Sequence, residues 1–78
     1  MAKVIVYSTT VCPWCVRVKE FLRQNGIEYE ERNAQENPEY ASEVMQKSGG
    51  LAVPVTDIDG TIIIGFNVGK LKQALKLA

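Results

Sequence analysis

Apolar positions change period several times along the chain, and each change marks an element. Lys3 to Ser8 (K-V-I-V-Y-S) is a β-branched, almost unbroken apolar run. Such a run predicts a strand buried on both faces, in the middle of a partly parallel sheet. Ser8-Thr9-Thr10-Val11 interrupts it as a loop. The period then becomes helical. Cys15, Val18 and Leu22 share one stripe with Phe21 alongside, and Arg17, Lys19, Glu20 and Arg23 are predicted on the exposed side. Pro13 suits the first turn of that helix, where its missing N–H costs nothing, so Cys12 falls at or beside the N-cap. Asn25-Gly26 ends the helix, with Gly26 suited to the left-handed residue beyond it.

Ile27 to Asn33 alternates weakly, with Ile27 and Tyr29 on one face. Its charges predict an edge strand protected from pairing with other molecules. Asn37 is the expected N-cap of a second helix opened by Pro38, with Glu39 near its positive end. Ala41, Val44, Met45 and Ser48 are the expected inner face, and Gly49-Gly50 the stop. Residues 53–58 and 61–64 read as strands joined by Asp59-Gly60, a strong hairpin signal because a type I′ turn needs positive φ at both positions. Asn67 can cap a last helix with apolar positions Val68, Leu71, Ala74, Leu75 and Ala78. The order is β-α-β-α-β-β-α. The first two strands must be parallel through a helical crossover, and the last two antiparallel. The predicted fold class is α/β: one domain over residues 1–78, with a four-stranded mixed sheet flanked by three helices.

Composition narrows the function. Nine basic and nine acidic residues give a formal net charge of zero, so no basic excess favours nucleic acid or an anionic membrane. Apolar stretches are too short to span a bilayer. A strand-like run begins within three residues of Met1, which leaves no room for a secretory signal and predicts a cytoplasmic protein. The expected state is a monomer. In a reducing compartment a close cysteine pair is more often catalytic or metal-binding than a structural staple. Histidine is absent, which excludes a His base and any His-containing metal site.

Both cysteines lie in Cys12-Pro13-Trp14-Cys15. Residues three apart in a helix are neighbours, close enough for their sulfurs to bond. The helix start favours an anion at Cys12, whereas Cys15 faces the core. This predicts Cys12 as the low-pKa nucleophile and Cys15 as the resolving thiol, with Pro13 stiffening the turn and Trp14 offering a flat apolar surface to substrate. Buried inert cysteines are the bland alternative. Another is a zinc or iron–sulfur module, but a closed zinc site takes four ligands and would need a second chain. Val53-Pro54 and Gly65 are open to an ordinary reading as strand edge and strand terminator, or to a close approach of substrate.

With these features in place, the sequence resembles the glutaredoxin branch of the thioredoxin superfamily. The apolar first strand, the Cys12-Pro13-Trp14-Cys15 tetrad, Val53-Pro54, and Gly65-Phe66 before a final helix carry the resemblance along essentially the whole chain. It implies a thioredoxin fold and thiol–disulfide oxidoreductase activity on protein or glutathione mixed disulfides. It implies no bound cofactor, glutathione as reductant, and a cis Pro54 opposite the active-site disulfide. Val53 would pair its backbone with a peptide-like substrate in β fashion. The expected site is catalytic Cys12 and Cys15, with Thr10, Pro13, Trp14, Val53, Pro54, Gly65, Phe66 and Asn67 binding substrate or glutathione. Three positions depart from the common pattern: Thr9 where a Lys is usual, Ala52 where Thr is frequent, and no carboxylate in residues 65–69. That stretch resembles instead the short glutaredoxin-like hydrogen donors of ribonucleotide reductase, some of them reduced by thioredoxin reductase. The expected potential lies roughly between −200 and −270 mV.

Overall fold

The computed structural model describes residues 3–50 and 53–76. Seven elements follow one another: β1 (Val4–Ser8), α1 (Pro13–Gln24), β2 (Glu30–Asn33), α2 (Pro38–Ser48), β3 (Val55–Ile58), β4 (Thr61–Ile64) and α3 (Val68–Leu75). The four strands form one sheet in the order β2-β1-β3-β4. β1 runs parallel to β2 and antiparallel to β3, and β3 pairs antiparallel with β4. This is the expected mixed α/β architecture. The apolar run of β1 sits centrally, buried at every position, because both faces of the sheet are covered.

The two faces have separate cores. Val4 and Val6 of β1, Ile58 of β3 and Ile63 of β4 pack with Val18 and Leu22 of α1 and Leu71 of α3. Ile5, Tyr7 and Val55 point the other way, against Val44 of α2. Helices α1 and α3 therefore share one face and α2 holds the other. Each helix has the predicted cap: Cys12, Asn37 and Asn67 adopt extended backbone and accept from first-turn N–H groups. Asp59 and Gly60 both take positive φ, as the hairpin requires.

Four expectations shift. β2 starts at Glu30 rather than Ile27, because the Ile27 N–H still closes the end of α1, donating to the Leu22 carbonyl at 2.9 Å. Ile27 and Tyr29 nevertheless reach the same core. β3 starts at Val55, beyond Pro54, which has no N–H to give a ladder. Met45 is 46% exposed instead of inward-facing, while Ala41 and Ser48 are half-buried. Lys19 is half-buried instead of exposed, because it donates to Glu31 at 2.8 Å. Ala78, expected on the α3 stripe, lies outside the described residues.

The Met45 shift has a physical cause. α2 meets the sheet along Tyr40, Glu43, Val44 and Lys47, because the sheet offers polar partners there. Buried Tyr7 donates its hydroxyl to Glu43 at 2.5 Å and accepts from Lys47 Nζ at 2.9 Å. Lys47 also donates to Asp57 Oδ2 at 2.6 Å, and Arg32 donates to Glu43 at 2.6 Å while pairing with Glu30. Strands β1, β2 and β3 are thus tied to one helix by a connected polar network.

That network makes stability depend on pH at both ends. The Tyr7 hydroxyl, then Arg32, hold the Glu43 carboxyl below its ordinary 4.5. Burial raises Asp57, but the hydrogen bonds from Lys47 and the Gly60 N–H, with the nearby positive charges, together outweigh this and leave it below 3.8. Burial and the Glu43 hydrogen bond raise Tyr7 above 10.0. Burial lowers Lys47, but its bonds to Asp57 and Tyr7 leave it above 10.5. Depressed carboxyls give stability that is complete above their unfolded values and lost as pH falls through the folded ones. Raised Tyr7 and Lys47 give stability complete below their unfolded values and lost as pH rises. Urea titrations are therefore expected to show a plateau near neutrality, an acid limb beginning below 4.5 and an alkaline limb beginning above 10.0. Glu43→Gln should shallow the acid limb.

Candidate functional site

The tetrad lies where β1 hands over to α1. Pro13 is the first helical residue, and Cys12 precedes it with φ −151° and ψ 94°. The Cys12 sulfur accepts the Cys15 N–H at 3.2 Å, so it does the work of a capping oxygen. The two cysteines are joined as a disulfide, with Cα atoms 5.2 Å apart. Their environments differ. Cys12 is half-exposed, whereas Cys15 is 1% exposed on the stripe that Val18 and Leu22 continue into the core. No acidic residue occupies the first turn of α1, while the first turn of α2 carries Glu39. No carboxylate of that turn therefore offsets the positive end of α1. Once the bond is reduced, that end and the Cys15 N–H favour a thiolate at Cys12.

Trp14 is 57% exposed and lies nearly parallel to Phe66, with ring centroids 6.3 Å apart. Phe66 turns its edge to Phe21 of α1 at 6.5 Å. This aromatic chain joins the tetrad to the segment after β4. Gly65 has φ 78°, a conformation that costs a side-chain-bearing residue about 1–2 kcal/mol. Its N–H donates to the Pro54 carbonyl at 2.8 Å, tying the end of β4 to the start of β3. The Val53–Pro54 bond is cis, as the resemblance implies. Pro54 is buried and Val53 is partly exposed. Among the described residues, Val53 makes no backbone hydrogen bond. A cleft of about 290 Å³ lies beside it, lined by Thr9, Ala34, Gln35, Ala41, Val44 and Val53.

Two expected binding residues have other engagements. The Thr10 N–H donates to Gln35 Oε1 at 3.2 Å, and its hydroxyl accepts from Asn33 Nδ2 at 3.4 Å. Thr10 thus fastens the loop to the β2–α2 connection. Asn67 Oδ1 accepts the Lys70 N–H at 3.1 Å, which commits that side chain to capping α3. The loop is braced from the other side by Glu31, which accepts from Lys19 of α1 and from buried Ser8 at 2.8 Å each. Those two bonds, Lys19 first, hold the Glu31 carboxyl below its ordinary value.

Three neighbours were not singled out from the sequence as parts of the site. Val11 is 84% exposed beside the tetrad. Arg17 sets its guanidinium 5.3 Å from the Trp14 ring centroid. Gln35 lines the cleft. Only Arg17 had a readable signal, since residues three apart on a helix meet. Among the described residues no three Cys, Asp or Glu side chains gather as a metal site would require.

Residues 4–63 match the glutaredoxin family model. The chain belongs to the glutaredoxin family. A glutaredoxin-like 8.6 kDa protein encoded in the rubredoxin operon of Clostridium pasteurianum is 35% identical over 71 residues, covering 91% of this chain and 95% of that one. The glutaredoxin-like protein NrdH of Lactococcus lactis is 35% identical over 70 residues, covering 90% and 96%. A crystal structure of a thioredoxin-like protein, solved as a point mutant, superposes with a TM-score of 0.91 at 35% identity over 100% of both chains. The fold is therefore thioredoxin-like, and this glutaredoxin-family enzyme is a thiol–disulfide oxidoreductase with Cys12 and Cys15 as its redox pair. Members of the family work with glutathione or with partners of the thioredoxin reductase kind. Among the described residues no helix is long and apolar enough to cross a membrane.

Proposed function

We propose that the enzyme reduces protein and glutathione mixed disulfides by attack of the Cys12 thiolate, and that glutathione recharges it. Cys12 bonds to one substrate sulfur and expels the other as a thiolate. Cys15 then attacks the Cys12 sulfur, releases the second substrate thiolate and closes the Cys12–Cys15 disulfide. Two glutathione thiols reopen it. The first forms a mixed disulfide on Cys12 and frees Cys15, and the second leaves as glutathione disulfide. The observation that carries this reading is the unequal pair: a half-exposed Cys12 capped by an N–H, and a Cys15 sealed in the core. In this reading Trp14 and Phe66 form the apolar floor under the substrate, and the backbone of Val53, which pairs with none of the described residues, receives the substrate chain in β fashion.

A second reading has a specific observation behind it. Residues 65–69 and Thr9 offer no charged side chain to either end of glutathione, and the NrdH likeness covers nearly all of both chains. Under it the enzyme is a hydrogen donor for ribonucleotide reductase, recharged by thioredoxin reductase. Parallel assays on one model disulfide distinguish the two. One contains NADPH, glutathione and glutathione reductase, the other NADPH with thioredoxin reductase. Glutathione is expected to sustain turnover, at a high KM because charge-assisted contacts are missing. NADPH consumption only with thioredoxin reductase would replace the first reading with the second.

A further inference from the structure

The net charge of zero conceals a strong segregation. All nine carboxylates fall from position 20 to position 59. Residues 9–19, 53–56 and 61–76 supply the tetrad, the cis-proline turn and the Gly65–Phe66 segment, and they hold none. The same stretches carry Arg17, Lys19, Lys70, Lys72 and Lys76. Most of these cations are engaged or distant. Lys19 pairs with Glu31, Lys72 and Lys76 belong to the far end of α3, and Lys70, exposed in its first turn, lines a cleft with residues 61–63 of β4.

Arg17 differs from the rest. It sits over Trp14, within one helical turn of Cys15, and no ion pair among the described residues includes it. Glu20, the next acidic residue along α1, meets Arg23 at 3.7 Å instead. The stacking on Trp14 restrains a long side chain, so less freedom is lost when its forked donors close on a carboxylate. The Trp14 ring beneath it stacks with Phe66, and Val11, next to Cys12 in the chain, is 84% exposed. An exposed aromatic surface beside one anchored cation that no carboxylate pairs with among the described residues is complementary to an acidic chain.

We infer that the redox face docks an acidic, cysteine-bearing protein segment, and that Arg17 is the specificity-determining residue that binds a carboxylate beside the reacting disulfide. The inference rests on the proposed attack by Cys12 and adds no chemical step to it. The segregated charge also steers such partners toward the correct end of the molecule.

The test uses pre-reduced enzyme in single turnover, so that no reductase enters. Three short peptides each carry one cysteine in mixed disulfide with 2-nitro-5-thiobenzoate, flanked by Glu, Gln or Lys. The wild-type enzyme is expected to release the chromophore about fivefold faster from the Glu peptide than from the Lys peptide at low salt. The gap should close to under twofold at about 0.5 M salt. Arg17→Glu should reverse the order, and Arg17→Lys should keep it with a smaller ratio. Equal rates from all three peptides, or an unchanged order in Arg17→Glu, would overturn the inference alone. No release from any peptide would overturn both it and the role of Cys12.

Discussion

Cys12→Ser abolishes disulfide reduction with every substrate and either reductant. The expected loss is on the order of a thousandfold or more, because a hydroxyl supplies almost no anion at neutral pH and the acceptor site has no other nucleophile. Cys15→Ser behaves differently. It retains the attack but lacks the thiol that ends it, so protein substrates accumulate as mixed disulfides on Cys12. Glutathionylated substrates continue to turn over, since a second glutathione can take the place of Cys15. Non-reducing gels and intact mass resolve the two variants. The expected asymmetry rests on position: Cys12 ends an exposed loop, and Cys15 opens the buried stripe of α1.

Leu22→Ala lowers stability by about 3 kcal/mol. Leu22 is fully buried on the same stripe, two turns below Cys15, in the core shared by β1, β3, β4 and α3. In a domain this small, such a loss lowers Tm by roughly 15 °C. Calorimetry measures it directly. Activity per folded molecule should change far less, because the tetrad is also fixed by its own cap, by the Lys19–Glu31–Ser8 brace and by the Thr10–Gln35 bond. A loss of activity matching the Cys12 variant in folded Leu22→Ala protein would mean that core packing, rather than the cap, sets the geometry of the tetrad.

These two expectations draw on different depths of legibility. The stripe of Cys15, Val18 and Leu22, the three caps and the Asp59-Gly60 turn depend on neighbours within a few residues, and all were readable in advance. The same holds for β1, whose uninterrupted apolar run could only be central. The inner face of α2 was read as Ala41, Val44, Met45 and Ser48, which left out Glu43 and Lys47. Their partners Tyr7, Arg32 and Asp57 come from three other strands, and periodicity carries no record of them. The boundaries of β2 and β3 slipped for related reasons, one absorbed into a helix end and the other displaced by Pro54.

The site divides along the same line. The tetrad could be read from local spacing, and the resemblance named Val53, Pro54, Gly65 and Phe66. Their actual connections, the Gly65–Pro54 hydrogen bond and the Trp14–Phe66 stack, needed the fold. Thr10 and Asn67 were legible as polar residues near the site. Their hydrogen bonds also fasten the loop and cap α3. Arg17 looked like one more exposed charge on α1, and that no ion pair among the described residues includes it emerged only when the pairs were placed.

The division of labour between the two sulfurs is the central claim, and one measurement addresses it directly. Fully reduced protein is treated at neutral pH with less than one equivalent of iodoacetamide, and the label is located by peptide mass mapping. The label is expected on Cys12 in large excess, with Cys15 protected by burial. Equal labelling, or a preference for Cys15, would contradict the assignment of Cys12 as the attacking thiolate.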